Sequence, residues 1–229
     1  MTDQLLDHTL GNLASRIPGA TQVFHTFHLD FCCDGQKTLR QAALENDLDA
    51  WLVEEHLLAL TQDELPLCDW QQASNAQLIE HLLERYHAVH RQQLPELIRL
   101  AARVEQVHRA REHCPRGLTD VLLTLQQELE NHMHKEEHVL FPMIKQGSHP
   151  LVAGAISAMR FEHVQYADAL EKIIMLTNDM QPPAGACNTW RALYRGLDEL
   201  GINLMQNIHL ENNLLFPRAL EDGVEERQR

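Results

Sequence analysis

His132-Met133-His134-Lys135-Glu136-Glu137-His138-Val139-Leu140-Phe141-Pro142 aligns without a gap on Asn207-Ile208-His209-Leu210-Glu211-Asn212-Asn213-Leu214-Leu215-Phe216-Pro217, a constant 75 residues further along. Upstream, Arg85-Tyr86-His87 matches Phe161-Glu162-His163 at an offset of 76, so each histidine precedes its partner motif by about 45 residues. Such self-similarity predicts two like helical hairpins related by a pseudo-twofold axis. Apolar residues recur at three- and four-residue steps over 74–112, 118–146, 150–179 and 187–220, the pattern of long amphipathic helices. Ser74 and Gln77 have capping-box spacing at the start of the first. Pro95 lies inside that helix and predicts a kink without a break. The turns between them are His113-Cys114-Pro115-Arg116-Gly117, Gly147-Ser148-His149-Pro150 and Gln181-Pro182-Pro183-Ala184-Gly185. Four long helices on short connections make an up-down bundle with antiparallel neighbours.

Residues four apart on a helix share a face, so His132 and Glu136 reach one inward point together. The second hairpin repeats the arrangement with Glu211, and His87 and His163 come from the remaining helices. Imidazoles with carboxylates and no thiolate favour iron or manganese over structural zinc, and carboxylates can bridge two ions. A buried Glu136 or Glu211 without a cation is costly, which is an energetic reason to expect a metal. His90, His108, His113, His134, His138 and His149 have no such double support; they read as surface residues or as neighbours of the ligands. Glu137 and Asn212, one step past the acidic positions, read as hydrogen-bonding or solvated.

The composition sets outer limits. With 44% apolar and 23% charged residues in a chain of 229, an ordinary core is expected, and a net charge of −14 leaves no basic stripe for nucleic acid. No apolar run approaches a membrane span, and the first ten residues lack a signal-peptide pattern, so a cytoplasmic protein is expected. Five irregularly spaced cysteines fit a reducing compartment, and 15 histidines stand out. Residues 1–70, interrupted by Pro18-Gly19 and Cys32-Cys33-Asp34-Gly35, read as a small helical domain, with 71–229 as the bundle. The boundary falls near Asp69–Ser74, where Pro66, Cys68 and Trp70 break the pattern.

The stretch 132–147, the Leu-Glu-Asn-Asn-x-Leu-Phe-Pro-Arg-Ala-Leu of 210–220 and the early Phe-Cys-Cys-Asp-Gly together resemble the repair-of-iron-centres family. The resemblance covers nearly the whole chain. It implies a haemerythrin-like bundle holding two non-haem irons (Fe2+/Fe3+, bridged by carboxylates, with an oxo bridge also open), behind a short Cys-Cys domain. It also implies a stress protein that restores iron–sulfur clusters damaged by nitric oxide or oxidants, by iron donation or by nitric-oxide binding or reduction. Its partners would be damaged iron–sulfur proteins or a cluster scaffold, with nitric oxide or O2 as small ligand. The family's metal ligands fall on His87, His132, Glu136, His163 and Glu211. The family's sixth ligand is a histidine four residues before the last glutamate, where this chain has Asn207. His209 lies roughly 200° around a regular helix from Glu211 and reads as non-ligating unless a π-turn swings it inward.

Cys32 and Cys33 are adjacent, with Cα atoms ~3.8 Å apart across a trans peptide, closer than the usual ~4.4–6.8 Å of a disulfide. A bond between them would be strained and easily reduced. By themselves they read equally as a redox or metal-transfer pair or as two packed thiols; the resemblance favours redox or iron transfer. Cys68, Cys114 and Cys187 read as structural. The rival function is a haemerythrin-type O2 or NO carrier or sensor without turnover. Whether the chain forms a homodimer through its small domain is left open by the sequence.

Overall fold

The computed structural model describes residues 5–60, 70, 72–147 and 150–225; Pro66, Cys68, Asp69, Ser148 and His149 lie outside them. The described residues are helical, apart from turns and an isolated antiparallel bridge between Thr9 and Thr38. Four short helices come first: α1 (Leu10–Arg16), α2 (Ala20–Thr26), α3 (Leu39–Glu45) and α4 (Ala50–Leu60). Thr9 caps α1, and Thr38 with Gln41 closes a capping box on α3, satisfying amides that a helix start leaves without partners.

The bundle follows. Its long helices are α5 (75–108), α6 (118–146), α7 (Val152–Thr177) and α8 (188–225). The Ser74–Gln77 capping box starts α5, and positive-φ Gly117 precedes α6. Positive-φ Asn178 ends α7, as expected where the chain must turn left-handed. Each long helix packs on its neighbours in sequence, and α5 closes the square against α8. α5 runs through Pro95 as α-helix. The irregularities lie elsewhere, in three π-helical turns: Leu83–His87, Glu136–Leu140 and Glu211–Leu215. The last two start on the two repeated glutamates. In each, the residue before a proline donates its N–H to the glutamate carbonyl five residues back, Phe141 to Glu136 and Phe216 to Glu211. Pro142 and Pro217 have no N–H to give, so the α-helical ladder is broken there in any case.

The core is divided. A large cluster joins the short helices to one end of the bundle through Phe24, Phe31, Leu97, Leu122, Trp190 and Leu197. A smaller one fills the other end with Leu78, Leu82, Phe141, Ile156, Leu215 and Phe216. Between Leu82 and Leu94 on α5, and between Leu204 and Leu214 on α8, polar side chains join the buried set: His87 and His90 on α5, and Asn207, His209 and Glu211 on α8.

The small domain is fastened over α8. Asn213 donates its side-chain amide to the carbonyls of Phe31 and Cys32, both at 3.3 Å. A Cβ at Gly35 would stand 2.5 Å from Asn213 Oδ1 and 2.7 Å from the Phe31 carbonyl oxygen, so only glycine fits the seam. Gly35→Ala is therefore expected to cost about 1–3 kcal/mol by overpacking, seen as a drop of several degrees in Tm. An unchanged melting temperature would show that the seam yields freely.

Candidate metal centre

The polar layer between the two cores gathers residues from all four long helices. One donor atom each from His132, Glu136, His163 and Glu211 lies within 4.8 Å of every other, all of them buried. His87 joins them: its Nε2 is 3.4 Å from Glu136 Oε2, the same distance as His132 Nε2 from that oxygen. On the opposite side His163 Nε2 stands 3.1 Å from Glu211 Oε2 and 3.2 Å from His132 Nε2. The five residues aligned by the repeat therefore meet at one place. Asn207 is buried beside them and donates its amide Nδ2 to Glu211 Oε1. His209 is buried elsewhere: Ser15 Oγ is 3.3 Å from its Nε2, Asn213 Nδ2 is 3.1 Å from its Nδ1, and Phe31 meets its ring edge-on. The π-turn starts beyond it, at Glu211, and does not bring it inward.

The outward nitrogens of the three histidines are all occupied. Nδ1 of His87 lies 2.9 Å from Glu137 Oε1, Nδ1 of His132 2.8 Å from Glu162 Oε2, and Nδ1 of His163 3.0 Å from Asn212 Oδ1. An acceptor at Nδ1 keeps the proton there and leaves the Nε2 lone pair facing the centre, the tautomer a metal ligand needs. Arg91 clamps Glu137, and Lys135 pairs with Glu162, so two of the three acceptors are charged and held. Phe141 stacks on His87 and Phe216 on His163, with ring centroids 5.8 and 5.9 Å apart, another expression of the repeat. Asn212, the repeat mate of Glu137, is neutral. It also donates Nδ2 to the Cys32 carbonyl at 3.0 Å, so one side chain touches both His163 and the cysteine loop.

Both oxygens of Glu136, Oε2 of Glu211 and Nε2 of His87 are buried without a hydrogen-bond partner. Unpaired buried acceptors of this kind are expensive. Here they converge, which is what a cation site requires. The electrostatics agree. Burial works against a charged His132, yet Glu136 and Glu162 outweigh it and hold its pKa up at about 10. Glu136 is disfavoured as an anion by burial but pulled below the ordinary carboxylate range by His132 and His87. Glu211 is pushed up by burial and by the charge on Glu136. In the metal-free protein the His132–Glu136 pair contributes stability that is fully present below an ordinary imidazole pKa and lost as pH rises through about 10. A cation must displace these protons, so its affinity should rise from pH 6 to pH 8, and its binding should release protons. Ferrous-ion titrations at several pH values in buffers of different ionisation enthalpy measure both; a pH-independent affinity would contradict the proton competition.

His90 takes the second of the two places the sequence left open to it, as a neighbour of the ligands: it is fully buried one turn beyond His87, neither ring nitrogen has a partner, and burial together with His87 lowers its pKa to about 3. Two positions depart from what the sequence suggested. Cys187 is exposed, its Sγ 3.2 Å from His108 Nε2, while Cys114 is buried. Glu162, which sequence reasoning passed over, anchors His132; the only signal for it was its place next to His163. Cys32 and Cys33 are free thiols on the loop that Asn212 touches, Cys32 buried and Cys33 half-buried.

A four-helix bundle with two His/Glu hairpins around a buried polar layer defines a haemerythrin-type cation-binding domain, and residues 78–219 match the family model described as the hemerythrin HHE cation binding domain. Residues 6–61 match a second model, a domain of unknown function (DUF542). Iron-sulfur cluster repair protein YtfE of Dickeya chrysanthemi is 50% identical over 214 residues, covering 93% of this chain and 97% of that one. The proteins of the same name from Cronobacter sakazakii and Escherichia coli O157:H7 are 51% and 47% identical over 214 residues, with 93% of this chain and 96% and 97% of theirs covered. The chain belongs to this family of iron-sulfur cluster repair proteins. No helix among the described residues is long and apolar enough to cross a membrane.

Proposed function

We propose that this protein repairs iron–sulfur clusters damaged by nitric oxide or oxidants, with two non-haem irons held by His87, His132, Glu136, His163 and Glu211. The observation that carries the metal assignment is the convergence of partnerless buried acceptors, above all the two free oxygens of Glu136, which suit a carboxylate shared between two cations. When bound, the irons supply one-electron chemistry and positions for a diatomic ligand. The chain's own residues do the rest. Glu137, Glu162 and Asn212 orient the imidazoles; Glu136 and Glu211 offset the cationic charge; Phe141, Phe216 and the two apolar cores keep water from the layer. Cys32 and Cys33 serve as a redox or iron-transfer pair between the centre and a damaged iron–sulfur protein or cluster scaffold. Their nearness to Asn212 supports that role.

The test is reactivation of an iron–sulfur enzyme inactivated by nitric oxide. The iron-loaded protein should restore its activity, and the Cys32→Ser/Cys33→Ser variant should retain its iron but repair more slowly. Tight, reversible nitric-oxide binding without any reactivation would instead make the protein a carrier or sensor. Undiminished repair by the double variant would return the cysteines to a packing role.

A further inference from the structure

Among the described residues, one other set of side chains brings metal-ligating atoms together: Asp30, Cys32 and Cys33. The two sulfurs are 3.8 Å apart, and Cys32 Sγ is 3.1 Å from Asp30 Oδ1. A disulfide needs sulfurs at ~2.05 Å. A tetrahedral ion bonded to two thiolates at ~2.3 Å holds them about 3.8 Å apart. The pair is thus spaced to chelate.

The loop is built to keep that spacing. Asp30 Oδ1 accepts from the N–H groups of Cys32 and Cys33 at 3.0 and 2.8 Å, and the amides of Asn212 and Asn213 hold the Cys32 carbonyl from the bundle side. The cysteines open on a cavity of about 740 Å³ between the small domain and helices α7 and α8. Asp30, Asp34, Asp168, Glu171 and Asp179 line it, and among the described residues neither lysine nor arginine is in the wall. Such a wall attracts cations and repels anions.

We propose that Asp30, Cys32 and Cys33 form a mononuclear site for a thiophilic divalent cation, separate from the bundle centre. Two S–H bonds break and two metal–sulfur bonds form; two protons leave to solvent, and no oxidation state changes. Three protein donors leave the fourth tetrahedral position open, so the ion can be exchanged, unlike one locked in a four-ligand structural site. Before the ion arrives, Cys33, burial and Asp30 hold the Cys32 thiol well above its ordinary pKa, so it stays protonated. The site rests on the repair function only for its physiological cargo, ferrous iron; the binding stands apart from it.

Cobalt(II), titrated anaerobically into the reduced, iron-loaded full-length protein, is the probe. The bundle centre contains no thiolate, so a near-ultraviolet thiolate-to-cobalt charge-transfer band reports on cysteines alone. The band should saturate at a single equivalent and vanish in Cys32→Ser/Cys33→Ser. In Asp30→Asn it should persist with affinity weaker by about tenfold or more. Iron content and helicity, measured on the same samples, should not change. No band in the parent protein, a band undiminished in the double variant, or an unaltered affinity in Asp30→Asn would each overturn the site. A normal band in a protein that repairs nothing would leave the site standing and remove the repair function instead.

Discussion

Glu136→Ala is expected to strip most of the iron from the bundle while leaving the helices in place. Glu136 stands 3.4 Å from both His87 and His132, and both its oxygens are free to meet a cation. No other carboxylate can take over on that side, because Glu137 and Glu162 are turned outward onto the histidine Nδ1 atoms. Loss of an outer partner such as Glu137 typically weakens a metal site 10–100-fold, and loss of the ligand itself should exceed that. The fold should survive. Removing Glu136 takes the buried counter-ion from His87 and His132, so the metal-free variant should stay helical but melt below the metal-free parent. Iron per chain and far-ultraviolet circular dichroism, read together, decide this. Full iron retention would remove Glu136 from the ligand set.

Asn207→His should slow the loss of one iron to a ferrous chelator by about tenfold or more, since imidazole is a better donor to iron than a neutral amide. Asn207 already lies in the layer, one helical turn from Glu211, so the new ring needs no change in the backbone. His209→Ala should leave iron release alone. Its cost falls on stability, at about 1–3 kcal/mol, because the ring's contacts with Ser15, Asn213 and Phe31 fasten the small domain to α8. Unchanged release from the Asn207 variant together with rapid release from the His209 variant would exchange the two roles.

The bundle was legible because its signal is local and repeated. Periodicity over 118–146 ends where α6 ends, and the Ser74–Gln77 pair caps α5 as its spacing implied. The ligands stood out through the 75-residue repeat. That criterion could not choose between the two readings of His90, whose place in the second hairpin is taken by the buried Tyr166, although 87, 90, 94 and 97 share the inward stripe of α5. His209 faces away from the centre, and no pattern within α8 could tell that a second domain covers that face. Glu162 and Asn212 act across helices, through contacts that exist only once the bundle has closed. The π-turns are equally silent in the sequence, apart from Pro142 and Pro217.

The Asn212 side chain, with one end on His163 and the other on the Cys32 carbonyl, is a direct hydrogen-bonded link between the centre and the cysteine loop. Thermodynamic reciprocity applies to any coupling it carries. Whatever factor a change at the cysteines imposes on iron affinity, iron imposes the same factor on that change. If the link carries coupling, a chain that holds metal and a chain that does not present chemically different thiols to whatever reaches the loop.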